Sequence, residues 1–221
     1  MTFISRRDLL KRVGTGAVAL GALEADARPV DAAIQTAAAV KAVKREPLQS
    51  FTSTEADLME AILTRLIPTD EHGPGAVDCG ALRYIDRGLA SGLSTSRQAY
   101  TAGLAALERY AQSSRGAAFA KLSPTDQDSL LIDVETGAAT GFNGSSAAFF
   151  AMLLGHTHQG MFGDPYYGGN ANFAGWDLLR YPGVRTMVSA ADQQALEARQ
   201  LKPNHRSAYD YESFTKASHG D

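Results

Sequence analysis

Apolar residues in this chain recur at helical spacing, segment after segment, and nowhere alternate at period two. Leu58, Met59, Ile62, Leu63 and Leu66 repeat at i, i+3 and i+4, which gathers them on one face of a helix. Thr52-Ser-Thr-Glu55 stands just before them as a capping box. The Thr52 hydroxyl can accept from the Glu55 N–H, and the Glu55 carboxylate can reach back. Pro68 stops that helix. The same spacing predicts a second helix over 76–89, with Leu82, Ile85 and Leu89 inward. It predicts a third over 96–113, with Tyr100, Leu104, Leu107 and Ala111 inward. A fourth is marked at both ends, by Ser123 as N-cap with Pro124 at the first helical position, and by Gly137 as the stop. Asp126 stands at its N3 position, and Leu130, Leu131 and Val134 face inward. A fifth starts near Ser145 and carries Phe149, Met152, Leu153 and His156. Gly175 to Arg180 reads as a helical turn, and Ser189 to Asp192 can cap a last short helix to about Leu201. No hairpin signal and no internal repeat interrupts the series. The expected fold is all-α: a single compact helical domain of about five or six helices, a long Gly-rich loop and an extended C-terminal arm.

At 221 residues, 44% hydrophobic and 20% charged, the chain can bury a core without disulfides or metals. A formal net charge of -3 argues against general nucleic-acid binding, which needs a basic face. Cys79 is the one cysteine, so this chain alone builds neither an internal disulfide nor a Cys-based zinc or iron–sulfur site. As an unpaired thiol it reads as a small buried hydrophobe or as a bridge to another subunit. Residues 136–163 contain no Asp, Glu, Lys or Arg. Asn143, Ser145, His156, His158 and several glycines interrupt them, so a buried helix between Gly-rich loops fits better than a membrane span.

The N-terminus reads as an address rather than as structure. Ser5-Arg6-Arg7 is followed by Leu9-Leu10-Lys11 and then by Val13 to Leu23, eleven residues without a charge. Those eleven are too few to cross a bilayer as a helix, which takes about 20. The pattern resembles the twin-arginine export signal, and its weakly apolar stretch agrees with that route. The expected organisation is a twin-arginine signal over 1–27, a linker over 28–50, a helical domain over 51–201 and a C-terminal arm over 202–221. The expected partner of the signal is the twin-arginine translocase, and the expected location is the periplasm.

Few residues offer chemistry. His156 and His158 are two apart, and on a helix such residues point about 200° from each other, so they cannot share a metal there. Asp70-Glu71-His72 suggests an acid–base cluster, but Gly73-Pro74-Gly75 makes a turn the simpler purpose. Gly168-Gly169-Asn170 lacks the spacing of a phosphate-cradling loop, and no strand precedes it. Catalytic, cofactor-binding and metal residues are therefore expected to be none in this chain. The alternative is an autonomous periplasmic enzyme or metal-binding protein using His72, His156 or His158.

Two blocks resemble a known family. The first is Leu66-Ile67-Pro68-Thr69-Asp70-Glu71-His72-Gly73-Pro74-Gly75, followed by Tyr84-Ile85-Asp86-Arg87. The second runs from His156-Thr157 through Gly163-Asp164-Pro165 and Tyr167-Gly168-Gly169-Asn170 to Gly175-Trp176 and Pro182-Gly183. Together, over roughly residues 50–185, they resemble the gluconate 2-dehydrogenase subunit 3 family, the small (gamma) subunit of membrane-bound flavin-dependent sugar and sugar-acid dehydrogenases. The resemblance implies a non-catalytic partner, with FAD in the large subunit and haem c in a cytochrome c subunit that commonly takes the electrons. It also implies a role in maturing and exporting the large subunit, a chaperone-like task. Asp164, Pro165, Tyr166, Tyr167, Gly168, Gly169, Asn170 and Trp176 form the expected partner interface, since Tyr and Trp suit surfaces that are apolar at one end and wet at the other. The same loop could instead cap the protein's own core with Trp176 buried, and the sequence leaves both readings open.

Overall fold

Thr52 opens the first helix as its sequence predicts. Its hydroxyl accepts the Glu55 N–H at 3.2 Å, and the Glu55 carboxylate accepts the Thr52 N–H at 2.9 Å. The computed structural model describes residues 47–215. Ser5, Arg6, Arg7, Leu9, Leu10 and Lys11, most of the 28–50 linker and residues 216–221 lie outside the described residues.

The described chain is all-α. Five long helices come first: α1 (Ser53–Leu66), α2 (Ala81–Leu89), α3 (Arg97–Arg115), α4 (Pro124–Thr136) and α5 (Ser146–Phe162). Three short ones follow, α6 (Ala174–Leu178), α7 (Ala190–Glu197) and α8 (Glu212–Thr215), the first and last of them about one turn long. Among the described residues there is no strand beyond an isolated bridge between Asp70 and Gly73, and no helix is long and apolar enough to cross a membrane.

α5 is the centre of the bundle and packs most extensively on α2 and α4. Met59, Ile62, Leu63, Ile85, Tyr100, Leu104, Leu107, Leu130 and Leu153 are fully buried, and each comes from an apolar face read in the sequence. α2 starts five residues later than its periodicity suggests. Residues 76–80 are spent in tight turns that close on the end of α1, with Ala76 N–H on the Ile67 carbonyl at 2.9 Å. α7 ends at Glu197, before Leu201, because the Gln200 and Leu201 N–H groups both return to the Ala195 carbonyl past a left-handed Arg199.

Two charged side chains fasten the entry to α1. Asp86 on α2 is buried, and its carboxylate accepts the backbone N–H groups of Gln49, Ser50 and Phe51 at 2.7, 2.9 and 2.8 Å. Arg97 at the start of α3 donates to Glu55 at 2.8 Å and to the Ser50 carbonyl at 3.1 Å. Burial would raise the Glu55 pKa, but the Arg97 and Thr52 hydrogen bonds outweigh it and hold the carboxyl below its ordinary value. The segment 49–52 is thus part of the packed domain, and Arg65 pins α1 to α4 through both oxygens of Asp128 at 2.8 Å.

Candidate docking site

The loop after α5 is tied to the helix it leaves. Asn170 is its knot: fully buried, it accepts from the Gly175 and Trp176 N–H groups at 2.9 and 3.3 Å and donates to the Gly163 carbonyl at 2.9 Å. Its own N–H reaches the Gly160 carbonyl at 2.6 Å. Only glycine fits at 169, because a Cβ there would run into the Gly160 carbonyl. Asn170, Asn172 and Phe173 hold φ values of 43°, 54° and 62°, a left-handed run that a bulky residue such as Phe173 rarely adopts. The hydrogen bonds of Asn170 hold that run in place.

The structure sorts the eight expected interface residues by depth. Gly168, Gly169, Asn170 and Trp176 face inward; Trp176 is 6% exposed and its indole N–H donates to the Phe162 carbonyl at 2.9 Å. Pro165 is half-buried in the turn that Asp164 caps, where the carboxylate accepts the Tyr166 N–H at 2.9 Å. Tyr166 and Tyr167 project outward, 59% and 50% exposed. The sequence's two readings of this loop therefore meet different residues: four face the core, and Tyr166 and Tyr167 are surface.

The C-terminal arm lies against that surface. Ser207 Oγ and the Ala208 N–H donate to the two oxygens of Asp164 at 2.6 and 2.8 Å. The Tyr209 ring stacks on Tyr166 with centroids 3.8 Å apart and meets Tyr167 edge-on at 5.8 Å. The Tyr167 and Tyr209 hydroxyls share a hydrogen bond, which pushes the Tyr209 phenol up and keeps it neutral. His205 Nε2 meets Asp177 at 2.6 Å, and its ring stacks on Phe173 at 5.1 Å. Sequence reading missed this pairing, although Ser207-Ala-Tyr-Asp210 has the spacing already noticed in the capping box of Thr52 to Glu55.

The other candidates resolve simply. His156 stacks on Tyr100 at 5.8 Å, its Nδ1 3.1 Å from the Tyr100 hydroxyl, and burial lowers its pKa. His158 on the same helix is exposed beside Phe162, and His72 is an exposed turn residue 3.8 Å from Glu71. Among the described residues no three His, Cys, Asp or Glu side chains gather as a metal site. Cys79 is buried, and burial raises its thiol pKa. A groove of about 490 Å³ between α3 and α5 carries no titratable side chain among its lining residues. Gly169 packs on the Gly160 backbone of α5, and Gly168 on the Arg87 side chain of α2.

The described residues thus form an all-α bundle that carries a braced tyrosine loop at its surface. The chain belongs to the gluconate 2-dehydrogenase subunit 3 family, whose model matches residues 53–183. Comparison with curated proteins gives no match, and neither does comparison with solved structures. The matched region spans α1 to α6 and the loop, and stops before α7 and the arm.

Proposed function

We propose that this protein is the non-catalytic small (gamma) subunit of a periplasmic, membrane-associated FAD-dependent dehydrogenase that oxidises a sugar or a sugar acid such as gluconate. In this reading the large subunit carries FAD and performs the oxidation, and a cytochrome c subunit with haem c takes the electrons. The small subunit assists maturation of the large one and brings it, already folded, through the twin-arginine translocase. The observation that carries the reading is family membership over the whole packed bundle, α1 to α6. The exposed Tyr166 and Tyr167 support it as the docking face, since exposed aromatic side chains on a rigid turn anchor interfaces. Ser5-Arg6-Arg7 with Leu9-Leu10-Lys11 supports the export route.

The test is co-expression with the large flavoprotein subunit in a bacterium. The expected outcome is periplasmic flavoprotein only when this chain is present. Arg6→Lys with Arg7→Lys should leave both proteins in the cytoplasm. The chain purified alone should show neither flavin absorbance nor dye-linked oxidation of gluconate. Oxidation by the chain alone would overturn the proposal in favour of an enzyme in its own right.

A further inference from the structure

We infer that Tyr166 and Tyr209 form an oxidative cross-linking site, at which a one-electron oxidant joins their rings as a dityrosine and ties the arm covalently to the loop. This goes beyond the proposed function and does not depend on it. The two rings are stacked, with centroids 3.8 Å apart and planes 18° from parallel. A tyrosyl radical carries much of its unpaired spin on the carbons ortho to the oxygen, in orbitals that stand perpendicular to the ring. Stacked rings turn those orbitals toward each other, which is the approach a carbon–carbon bond between them needs. Tyr167 is close as well, but it meets Tyr209 at 89° and Tyr166 at 87°, which turns its orbitals aside.

The pair is held in register from both sides. Asp164 receives three donors at once, the Tyr166 N–H at 2.9 Å, Ser207 Oγ at 2.6 Å and the Ala208 N–H at 2.8 Å, so one carboxylate seats both turns that carry the rings. Ser207 is buried, and its Oγ accepts the Tyr209 N–H at 3.0 Å. Asn204 and Tyr211 both donate to the Val184 carbonyl at 2.7 Å, and His205 closes on Asp177, so the arm is fastened before and after Tyr209. Reacting groups fixed side by side behave as if at very high concentration. Tyr166 is exposed and Tyr209 half-buried, which leaves the pair open to an oxidant from solvent. Other tyrosines have different neighbours: Tyr100 packs among Phe51, Phe149 and His156, Tyr181 meets Trp176, and Tyr211 lies under Arg206.

The oxidant is a haem peroxidase working on hydrogen peroxide. Tyr166 and Tyr209 each give up one electron and the O–H proton. The Tyr209 hydroxyl shares a hydrogen bond of 2.5 Å with that of Tyr167, an exposed residue, which offers its proton a path to water. One ortho carbon of Tyr166 then bonds to one of Tyr209. Each of those carbons loses its hydrogen as a proton, and each oxygen takes a proton up, so both phenols are restored. Two electrons and two protons leave the protein per cross-link, and they reduce one hydrogen peroxide to two waters. No oxygen is added to the chain, and its mass falls by two hydrogens.

The test treats the full purified chain with a haem peroxidase and hydrogen peroxide, and reads dityrosine by its fluorescence and by tandem mass spectrometry of proteolytic peptides. The expected product is a monomer lighter by two hydrogens, with the bond mapped to Tyr166 and Tyr209. The folded chain should give about tenfold more of it than the chain in urea, where the rings are no longer held together. Tyr166→Phe and Tyr209→Phe keep a stacked ring but lack the phenol, so each should abolish the product, whereas Tyr167→Phe should retain it. Ser207→Ala, which loosens the arm, should lower the yield several-fold, and thermal unfolding confirms that the bundle of each variant is intact. A bond mapped to Tyr167 or Tyr181, a yield unchanged in urea or in Tyr209→Phe, cross-linked dimers alone, or no dityrosine in the wild-type monomer would each overturn the inference.

Discussion

Asn170 shows how a single side chain can decide the shape of a loop. It is fully buried in a left-handed conformation, and it serves three backbone groups while its own N–H serves a fourth. Asn170→Ala strands the Gly163 carbonyl and the Gly175 N–H and should cost about 2–4 kcal/mol, read by urea denaturation. Asn170→Gly loses the same hydrogen bonds but relieves the left-handed backbone, and should cost roughly 1 kcal/mol less than the Ala variant. Equal losses would show that the positive φ stores no strain. His156 makes a different kind of prediction. Burial lowers its pKa, so the unfolded chain binds a proton more readily than the folded one. Stability then rises with pH across the window between the folded pKa and the ordinary value of about 6.5, and falls as pH drops through it. Protonation also removes the lone pair at Nδ1, which can accept the Tyr100 hydroxyl only while that nitrogen is bare. Urea midpoints at about pH 7.5 and pH 5.5 should therefore differ more for the wild-type chain than for His156→Gln. A variant with the same pH dependence as the wild type would assign the effect to another group.

At the scale of elements, Gly103 on α3 is where helix propensity and packing disagree. Propensity alone makes Gly103→Ala stabilising by about 1 kcal/mol. The added Cβ, however, would run into the Phe149 ring of α5. Packing wins in this argument, because both residues are buried and the ring is already engaged with Tyr100 and Phe142. The substitution should destabilise by about 1–3 kcal/mol. Combined with Phe149→Leu it should cost less than the two single changes together, which thermal unfolding of the double-mutant cycle measures. The same contrast explains what was legible in the sequence. Caps and apolar stripes are local, so α1, α3, α4 and α5 could be placed from Thr52, Tyr100, Ser123 and Ser145 with their inward residues correct. The start of α2 was not legible, because Gly80 enters it without a side-chain cap and the turns before it answer to α1. Asp86 was quoted in a motif but given no task. Its partners, Gln49 to Phe51, lie some 35 residues away, and only the fold brings them within reach.

For the whole molecule, the candidate site was half legible. The Asp164 to Asn170 block stood out by its turn residues, but which of them point outward depends on α5 filling the space behind Gly169. The arm's share depends on a contact across some 43 residues, Asp164 to Ser207, which no local pattern announces. The bundle and the loop-and-arm region are built differently. Large buried side chains hold α1 to α5, whereas the loop, α6, α7 and the arm are joined by side-chain hydrogen bonds and ring stacking and leave their apolar groups on the outside. Docking through the exposed tyrosines, as proposed, carries a prediction about salt. Screening acts on interactions between exposed charges, and salt-steered complexes lose association rate steeply as ionic strength rises. Docking of a large subunit through Tyr166 and Tyr167 should change by less than about threefold in Kd between roughly 0.05 and 0.5 M salt, because burial of rings and not attraction of charges drives it. Replacing Tyr166 should act mainly on the dissociation rate, where lost packing is felt, and leave association nearly unchanged. Surface plasmon resonance across that salt range reads both quantities. A fall of tenfold or more with salt would move the docking surface away from these tyrosines, to a charged face.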